Sequence, residues 1–287
     1  TRRSNYSIQI LYTMDSTLKI CLKAVGFLIL VAIIQAISLY IVGAVYAVSS
    51  DTSFEEVMHV ISTQGWELAN EVIIPSTILG HIITIACFLL AKWTPISTHY
   101  ISKKPYQLLG LIVLFSLFLV LPLAGIYEWT GIEMSEDIQT LFNTIMQKPF
   151  GIVAVAILAP IVEEIVFRGA ILRLLLECFS GKKAWIAIVI SAVAFGLFHG
   201  NLAQAVNASF LGLILGWLYY RTKSIVPSMV LHLVNNISAV AMTLGFSSNP
   251  DIKVIEMFGN NLPLAVGCLT VSALLAIGTF LLIRKKI

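Results

Sequence analysis

The segment PIVEEIVFRG, from Pro160 to Gly169, places two adjacent glutamates and an arginine inside a stretch that is otherwise apolar. An acidic residue near the centre of a bilayer costs about 2.5 to 3.5 kcal/mol on the insertion scale, so two of them need a functional explanation. Arg168 follows Glu164 by four residues and shares its helical face, which predicts a charge-assisted pair. Glu163 points about 100° away from that pair, so it is the carboxylate suited to act as a base.

Two other apolar segments carry side chains at the same helical spacing. FGLFHG contains Phe195 and His199, and HLVNN contains His232 and Asn236, so each pair lies on one helix face. A carboxylate and an imidazole can activate a water molecule held between them, while a second imidazole and a carboxamide can donate to a developing oxyanion. With Glu163, these residue types predict a hydrolase for an acyl bond. The structural alternative is that they only bridge helices within a bundle.

Pro160 lies one helical turn before Glu163. Proline has no backbone N–H and clashes with the carbonyl four residues back, so it is expected to bend the helix and to free a backbone acceptor near the carboxylates. A water molecule could be recruited there.

A membrane-embedded bundle of helices must position these residues. The 287 residues are 58% hydrophobic and only 11% charged, whereas about a quarter of the residues of a soluble domain are charged. Apolar runs of about 20 residues occur about eight times and account for nearly the whole chain. The sequence therefore predicts an all-α, polytopic membrane bundle of about eight transmembrane helices with a four-helix catalytic core.

The connecting segments differ in charge and predict an orientation. The expected spans cover residues 24–48, 72–91, 107–127, 150–172, 184–204, 205–220, 226–245 and 262–283. Residues 49–71 and 128–148 are acidic, and the first of these segments is expected to be amphipathic and to lie on the outer surface. Most of the 18 Lys and Arg residues lie in the other connections and at the two ends. The positive-inside bias then predicts an integral, multi-pass protein with both termini in the cytoplasm.

In order and spacing, three motifs resemble those of the CAAX protease and bacteriocin-processing (CPBP/Abi) family of intramembrane proteases. They are EExxxR at Glu163, Glu164 and Arg168, FxxxH at Phe195 and His199, and HxxxN at His232 and Asn236. The resemblance covers about residues 146–245. It implies an all-helical membrane enzyme similar to the Ras-converting prenyl protease, which removes a C-terminal tripeptide from prenylated proteins with a glutamate-activated water.

The resemblance also implies a role for each residue of the catalytic set. Glu163 and His199 would activate the water, and Glu164 with Arg168 would orient Glu163. His232 and Asn236 would form the oxyanion hole. No cofactor is expected; the alternative is a zinc ion held by Glu163, His199 and His232, as in a metalloendopeptidase, although the chain lacks an HExxH motif.

The expected function is that of an intramembrane glutamate endopeptidase acting on a membrane-associated peptide or protein tail, which is lipidated in the family's best-known case. Its partners would be that substrate and the lipid bilayer, with no nucleic acid. Two alternatives stay open. The same polar pocket could serve a non-proteolytic binding, regulatory or immunity protein, or a proton-coupled transporter, which the lack of an evident inverted repeat disfavours.

The chain is expected to divide into residues 1–145 with three spans, the catalytic core 146–245, and residues 246–287 with the last span and tail. Asn201, Gln204, Asn207 and Asn235 are second-rank candidates for binding substrate backbone. The GLILG segment with Gly212 and Gly216 predicts close helix packing beside the site. His81 lies outside every motif and receives no role, and the 4 cysteines are assigned to packing.

Overall fold

The computed structural model describes residues 2–246 and 253–287, with side chains from residue 17 onward. The described residues form helices joined by short turns and contain no β-strand, which confirms the predicted all-α bundle. The predicted domain boundary near residue 246 adjoins residues 247–252, which lie outside the described ranges. The division into domains stays a prediction.

Fourteen α-helical elements are described in these two ranges. They are α1 (Arg2–Ser49), α2 (Phe54–Gln64), α3 (Ile74–Leu90), α4 (Thr98–Ser102), α5 (Tyr106–Thr130), α6 (Glu136–Met146), α7 (Pro149–Ile152), α8 (Ala159–Glu163), α9 (Arg173–Cys178), α10 (Ala184–Leu197), α11 (Leu202–Thr222), α12 (Ile225–Gly245), α13 (Val254–Met257) and α14 (Leu262–Lys286). Tighter or wider helical turns join some of them: 3₁₀ turns at Gly65–Leu68 and Gly181–Lys183, and π-helical segments at Ala69–Ile73, Val153–Leu158 and Glu164–Leu172.

In the described part of the chain, 7 helices are long and apolar enough to cross a membrane. They are Thr17–Ser49, Phe54–Leu90, Tyr106–Thr130, Pro149–Cys178, Leu202–Thr222, Ile225–Gly245 and Leu262–Lys286. The polytopic bundle is thus confirmed, with seven candidate spans rather than about eight. The second span is also longer than predicted, because helical backbone begins at Phe54 and continues through α2, the two joining segments and α3.

The predicted span 184–204 is corrected by the structure. Helix α10 has 14 residues and ends at Leu197; at 1.5 Å per residue it is about 21 Å long, short of the roughly 30 Å hydrocarbon core. Gly200 adopts a left-handed conformation, with φ of 74°. The Asn201 side chain then accepts from the backbone N–H of Gln204 and caps α11, so the last residues of the predicted span belong to the next helix.

The charged segment lies at the centre of the bundle. Every residue of the π-helical segment Glu164–Leu172 is buried, and it packs against α10, α11 and α12 as well as α3. The first turn of α12 is itself inside the protein, since Ser224 and Ser228 are buried. His232, two turns into the same helix, is buried as well.

The turn after α3 is tied directly to the central π-helical segment. Thr94 Oγ1 donates to the Ile165 carbonyl at 2.6 Å, and Arg173 Nη2 donates to the Trp93 carbonyl at 2.9 Å. Gly169 makes room for this contact, because a Cβ atom there would overlap the Thr94 side chain. The N-terminal helices are therefore joined to the core by hydrogen bonds as well as by apolar packing.

Glycines set the distance between α10 and α11. A Cβ atom on Gly212 would lie 3.0 Å from the Cα of Ala192, and one on Gly216 would lie 3.0 Å from Ile188. This confirms the close packing predicted from the GLILG segment. On the facing helix, a Cβ atom on Gly196 would overlap the main-chain oxygen of Ala205.

We expect Gly196→Ala to lower the free energy of unfolding by about 1 to 3 kcal/mol, because the added methyl group can be accommodated only by separating two backbones. The matched control is Gly267→Ala in α14, where a Cβ atom meets nothing within 4 Å and alanine is the better helix former. Thermal unfolding in detergent measures both. Equal melting temperatures for the two variants would contradict the packing described here.

Candidate active site

A buried ion pair lies at the base of the candidate site. Arg168 Nη1 donates to Glu164 Oε1 at 2.8 Å, and both side chains are fully buried. The guanidinium carbon lies 4.4 Å from the centre of the Phe195 ring, and Nη2 reaches the Gly212 carbonyl at 3.4 Å. The pair predicted from the spacing is therefore present, and Phe195 of the second motif packs on its cation.

The backbone around this pair is π-helical, a conformation that is uncommon and is frequently found at functional sites. Three of its carbonyls accept hydrogen bonds from side chains. Ile165 accepts from Thr94, Phe167 accepts from Ser191 at 3.3 Å, and Gly169 accepts from Arg173 Nε at 3.1 Å. Buried carbonyls need partners, and side chains from neighbouring elements supply them here.

His232 links the two glutamates. Its Nδ1 lies 3.0 Å from Glu164 Oε1, and its Nε2 lies 3.5 Å from Glu163 Oε2. Glu164 Oε1 already accepts from Arg168, so Nδ1 must carry the proton in this contact. Glu163 is the outer carboxylate, with 19% of its side chain exposed against 0% for Glu164. The adjacent glutamates thus differ in surroundings: one is enclosed with Arg168 and the other opens to a cavity.

Pro160 frees a backbone acceptor, and Asn236 occupies it. Within the π-helical segment Val153–Leu158 hydrogen bonds connect residues five apart, as in the bond from Ala159 N–H to the Ala154 carbonyl. The next donor in this register would be residue 160, but proline has no N–H. The Val155 carbonyl instead accepts from Asn236 Nδ2 at 3.1 Å. The acceptor lies five residues before Pro160, one residue earlier than an α-helix predicts.

The break after α10 orients His199. The backbone N–H of His199 bonds to the Gly196 carbonyl, which leaves the Phe195 carbonyl for the His199 side chain at 2.9 Å from Nδ1. A carbonyl can only accept, so Nδ1 carries the proton in this bond. In the neutral imidazole Nε2 is then an acceptor, which is the state a base requires.

A cavity of about 450 Å³ collects four of the six predicted site residues on its wall: Glu163, His199, His232 and Asn236. Glu164 and Arg168 lie behind them, fully buried. No hydrogen bond joins Glu163 to His199 among the described residues. The two side chains that were predicted to activate a water share the cavity wall without direct contact by a hydrogen bond.

Sequence reasoning missed part of this wall. His81 of α3, to which the sequence analysis gave no role, lines the same cavity, and its Nδ1 atom is buried without a hydrogen-bond partner in the described part of the chain. Gln139 and Asn143 of α6 also line it. The spacing of Thr77 and His81, four residues apart on α3, was the available signal, because both side chains face the cavity.

The second-rank candidates divide between the cavity and the turn. Gln204, Asn207 and Asn235 line the cavity. Asn201 instead caps α11, where its Oδ1 accepts from the Gln204 backbone at 2.9 Å. Within the described ranges, no group of three or more His, Cys, Asp or Glu side chains is arranged to hold a metal ion. The trio named for zinc, Glu163, His199 and His232, shares the cavity wall but does not form such a group.

Comparison with known proteins confirms the resemblance inferred from the three motifs. Residues 146–238 match the family model described as "Type II CAAX prenyl endopeptidase Rce1-like". The chain is similar to the "Putative membrane peptidase YdiL" of Bacillus subtilis (strain 168), with 32% identity over 46% of this chain and 52% of the relative. It is also similar to the "Membrane-embedded CAAX protease MroQ" of Staphylococcus aureus (strain USA300), with 27% identity over 46% of this chain and 55% of the relative.

The chain spans about half the length of these curated relatives. No solved structure gives a significant match. The matched segment contains every residue of the three motifs, whereas His81, Gln139 and Asn143 lie before it. The cavity wall thus has one part inside and one part outside the region of family similarity.

Removal of one partner of the buried ion pair should be strongly destabilising. We expect Arg168→Met to cost about 3 to 5 kcal/mol, because it leaves the Glu164 carboxylate buried without its cation. The double variant Glu164→Gln/Arg168→Met has no such charge and should regain most of the loss. Thermal unfolding of the three proteins in one detergent measures this. A double variant no more stable than Arg168→Met would show that the pair is not the dominant interaction.

Proposed function

We propose that the chain is an intramembrane endopeptidase that hydrolyses a peptide bond in a membrane-associated peptide or protein tail. The observation that carries this proposal is the Glu163 carboxylate on the wall of a cavity that His199, His232 and Asn236 also line. Polar side chains within a membrane bundle are costly, and their convergence on one cavity supports catalysis rather than packing. The family similarity of residues 146–238 points to the same reaction.

In the proposed reaction, a water molecule lies between Glu163 and His199. Glu163 removes one of its protons as the oxygen attacks the scissile carbonyl, and a tetrahedral oxyanion forms. The proton then passes to the amide nitrogen, the C–N bond breaks, and a carboxylic acid and an amine are released. His199 is suited to assist, because its Nδ1–H is engaged by the Phe195 carbonyl and its Nε2 can accept from the water.

The contacts of His232 and Asn236 favour different roles for these two residues. Both ring nitrogens of His232 face carboxylates, so we assign it to holding Glu163 in place through Glu164. Asn236 Nδ2 is anchored by the Val155 carbonyl through one of its two hydrogens. Its other hydrogen is free to donate to the oxyanion, which is the contribution expected of a preorganised carboxamide. Glu164 and Arg168 act as positioning residues behind the site.

The substrate proposed is an extended, uncharged peptide segment. Apart from Glu163 and the imidazoles, the polar groups around the cavity are neutral, and most are carboxamides: Gln139, Asn143, Gln204, Asn207, Asn235 and Asn236. A carboxamide donates and accepts, so it matches the hydrogen-bonding groups of a peptide main chain. A lipid attached to such a peptide would lie among the apolar helix faces. The competing candidate is a binding or regulatory protein that holds a peptide in the same cavity without cleaving it.

We expect Glu163→Gln to abolish cleavage without unfolding the protein, because the amide keeps the shape of the side chain but cannot take a proton. Wild type and variant are given a library of peptides, with and without attached lipid, in liposomes, and products are identified by mass spectrometry. The exposed carboxylate Glu133 supplies the control Glu133→Gln. Activity that survives a strong chelator supports the metal-free route, and loss with chelator supports the zinc alternative. Equal cleavage by wild type and Glu163→Gln would refute the site assignment.

His81 is proposed as a substrate-binding residue on the part of the cavity wall that α3 supplies. Since its buried Nδ1 has no partner among the described residues, His81→Leu should leave the melting temperature unchanged or raise it. It should lower kcat/KM by about 5- to 10-fold through KM, as expected for one lost hydrogen bond, and His81→Gln should restore part of the loss. Ile82→Ala, on the exposed face of the same helix, is the control. Unchanged KM in His81→Leu would contradict the role.

A further inference from the structure

A second polar cavity lies apart from the candidate active site and shares no lining residue with it. Its volume is about 460 Å³, and it is formed where α5 begins and where α11 and α14 end. These three helices are all candidate membrane spans, so the cavity lies at the level where their apolar parts end. The proposed protease function does not use it.

Four basic side chains surround this cavity and no carboxylate side chain lines it: they are Lys103, Lys104, Arg221 and Lys286. None of the four forms an ion pair with an Asp or Glu side chain among the described residues. Lys286 Nζ donates to Gln107 Oε1 at 3.1 Å, and Arg221 donates to the main-chain oxygen of Ile287. Gln107 is neutral, so its hydrogen bond positions Lys286 but leaves the charge of that lysine uncompensated. Ile287 ends the chain in this structure and its oxygen carries carboxylate charge, so the uncompensated cations of the cavity are the three lysines.

The beginning of α5 adds further donors. The helix starts after Pro105, and no side chain caps it. The first turn of a helix presents N–H groups without intrahelical acceptors and the positive end of the helix dipole. Gln107 and Leu108 of this turn line the cavity. A helix start of this kind favours an anionic group such as a phosphate.

Tyr100 gives an independent indication that a partner is missing. Tyr100 lines the cavity, and its hydroxyl oxygen is buried without a hydrogen-bond partner in the described part of the chain. Burial raises the pKa of Tyr100, so the phenol stays protonated and can donate. Buried hydroxyl groups are rarely left without an acceptor.

We propose that this cavity binds the phosphate headgroup of an anionic membrane phospholipid. The three lysines, the start of α5 and the Tyr100 hydroxyl offer donors, which suits a phosphate. The position at the ends of three candidate spans favours a lipid over a soluble anion, because acyl chains can continue along the apolar helix faces below. Tyr106, 72% exposed beside the cavity, is an aromatic residue of the kind found at the headgroup level.

Lys104 allows a variant that separates binding from stability. This residue adopts a left-handed conformation, with φ of 49°, which disfavours any side chain but suits glycine. The triple variant Lys103→Gln/Lys104→Gly/Lys286→Gln removes three cations from the cavity. Its matched control is Lys92→Gly/Lys182→Gln/Lys183→Gln, which removes three cations elsewhere, again including one left-handed lysine, since Lys92 has φ of 56°.

The experiment measures binding of short-chain phosphatidylglycerol and of short-chain phosphatidylcholine to detergent-purified proteins by native mass spectrometry. We expect wild type and control to prefer phosphatidylglycerol by at least about 10-fold and the cavity variant to lose about 100-fold in affinity for it, since each basic residue near an anionic lipid contributes about 1 kcal/mol. The melting temperature of the cavity variant without lipid should not fall below that of the control.

Two results would overturn the proposal. One is a failure of the lipid binding to depend on the cavity: the cavity variant and the control bind phosphatidylglycerol equally, or wild type does not prefer phosphatidylglycerol over phosphatidylcholine. The other is displacement of the lipid by inorganic phosphate or glycerol 3-phosphate at matched concentration, which would identify a site for a soluble anion. Peptide cleavage is not part of the readout, so failure of the protease proposal leaves this test unaffected.

Discussion

The arrangement of this molecule depends on holding one carboxylate and one guanidinium together inside an apolar bundle. Glu164 and Arg168 are fully buried and lie 2.8 Å apart. Two buried charges are tolerated only when their geometry is good and their remaining hydrogen-bonding groups are served. The Phe195 ring, the Gly212 carbonyl and His232 supply part of that surrounding, while Glu164 Oε2 and Arg168 Nε have no hydrogen-bond partner among the described residues. The first three come from α10, α11 and α12, so the need to satisfy one ion pair fixes the relative positions of three helices.

The same requirement explains why Glu163 differs from its neighbour. Glu164 takes the guanidinium and the Nδ1–H of His232, whereas Glu163 receives only the more distant Nε2 contact and opens to the cavity. Adjacent residues on a helix point in different directions, and a single cation four residues along can serve only one of them. An arrangement of this kind gives one chain segment both an enclosed, ion-paired carboxylate and one that opens to the cavity.

Local spacing was sufficient to predict the Glu164–Arg168 pair, the shared faces of the histidine motifs and the all-helical bundle. It was not sufficient for the hydrogen-bond register. An α-helical count predicts a freed acceptor four residues before Pro160, but the backbone is π-helical there and the freed carbonyl is that of Val155. Hydrophobic periodicity also did not predict that the helix in the expected span 184–204 ends early, because the break depends on the left-handed Gly200 and the Asn201 cap. His81 was passed over because its significance lies in a cavity shared with distant helices.

The hydrogen bonds between the turn after α3 and the central helix bear on how the protein can be divided. Thr94 donates into the segment that resembles known proteases, and Arg173 of that segment donates back to Trp93. A fragment restricted to residues 146–245 would lose the hydroxyl that serves the Ile165 carbonyl and would expose the face now covered by α3. Residues 146–245 expressed alone would therefore lack the helices that support them. A chimera with another membrane protein would have to include the N-terminal helices together with this segment.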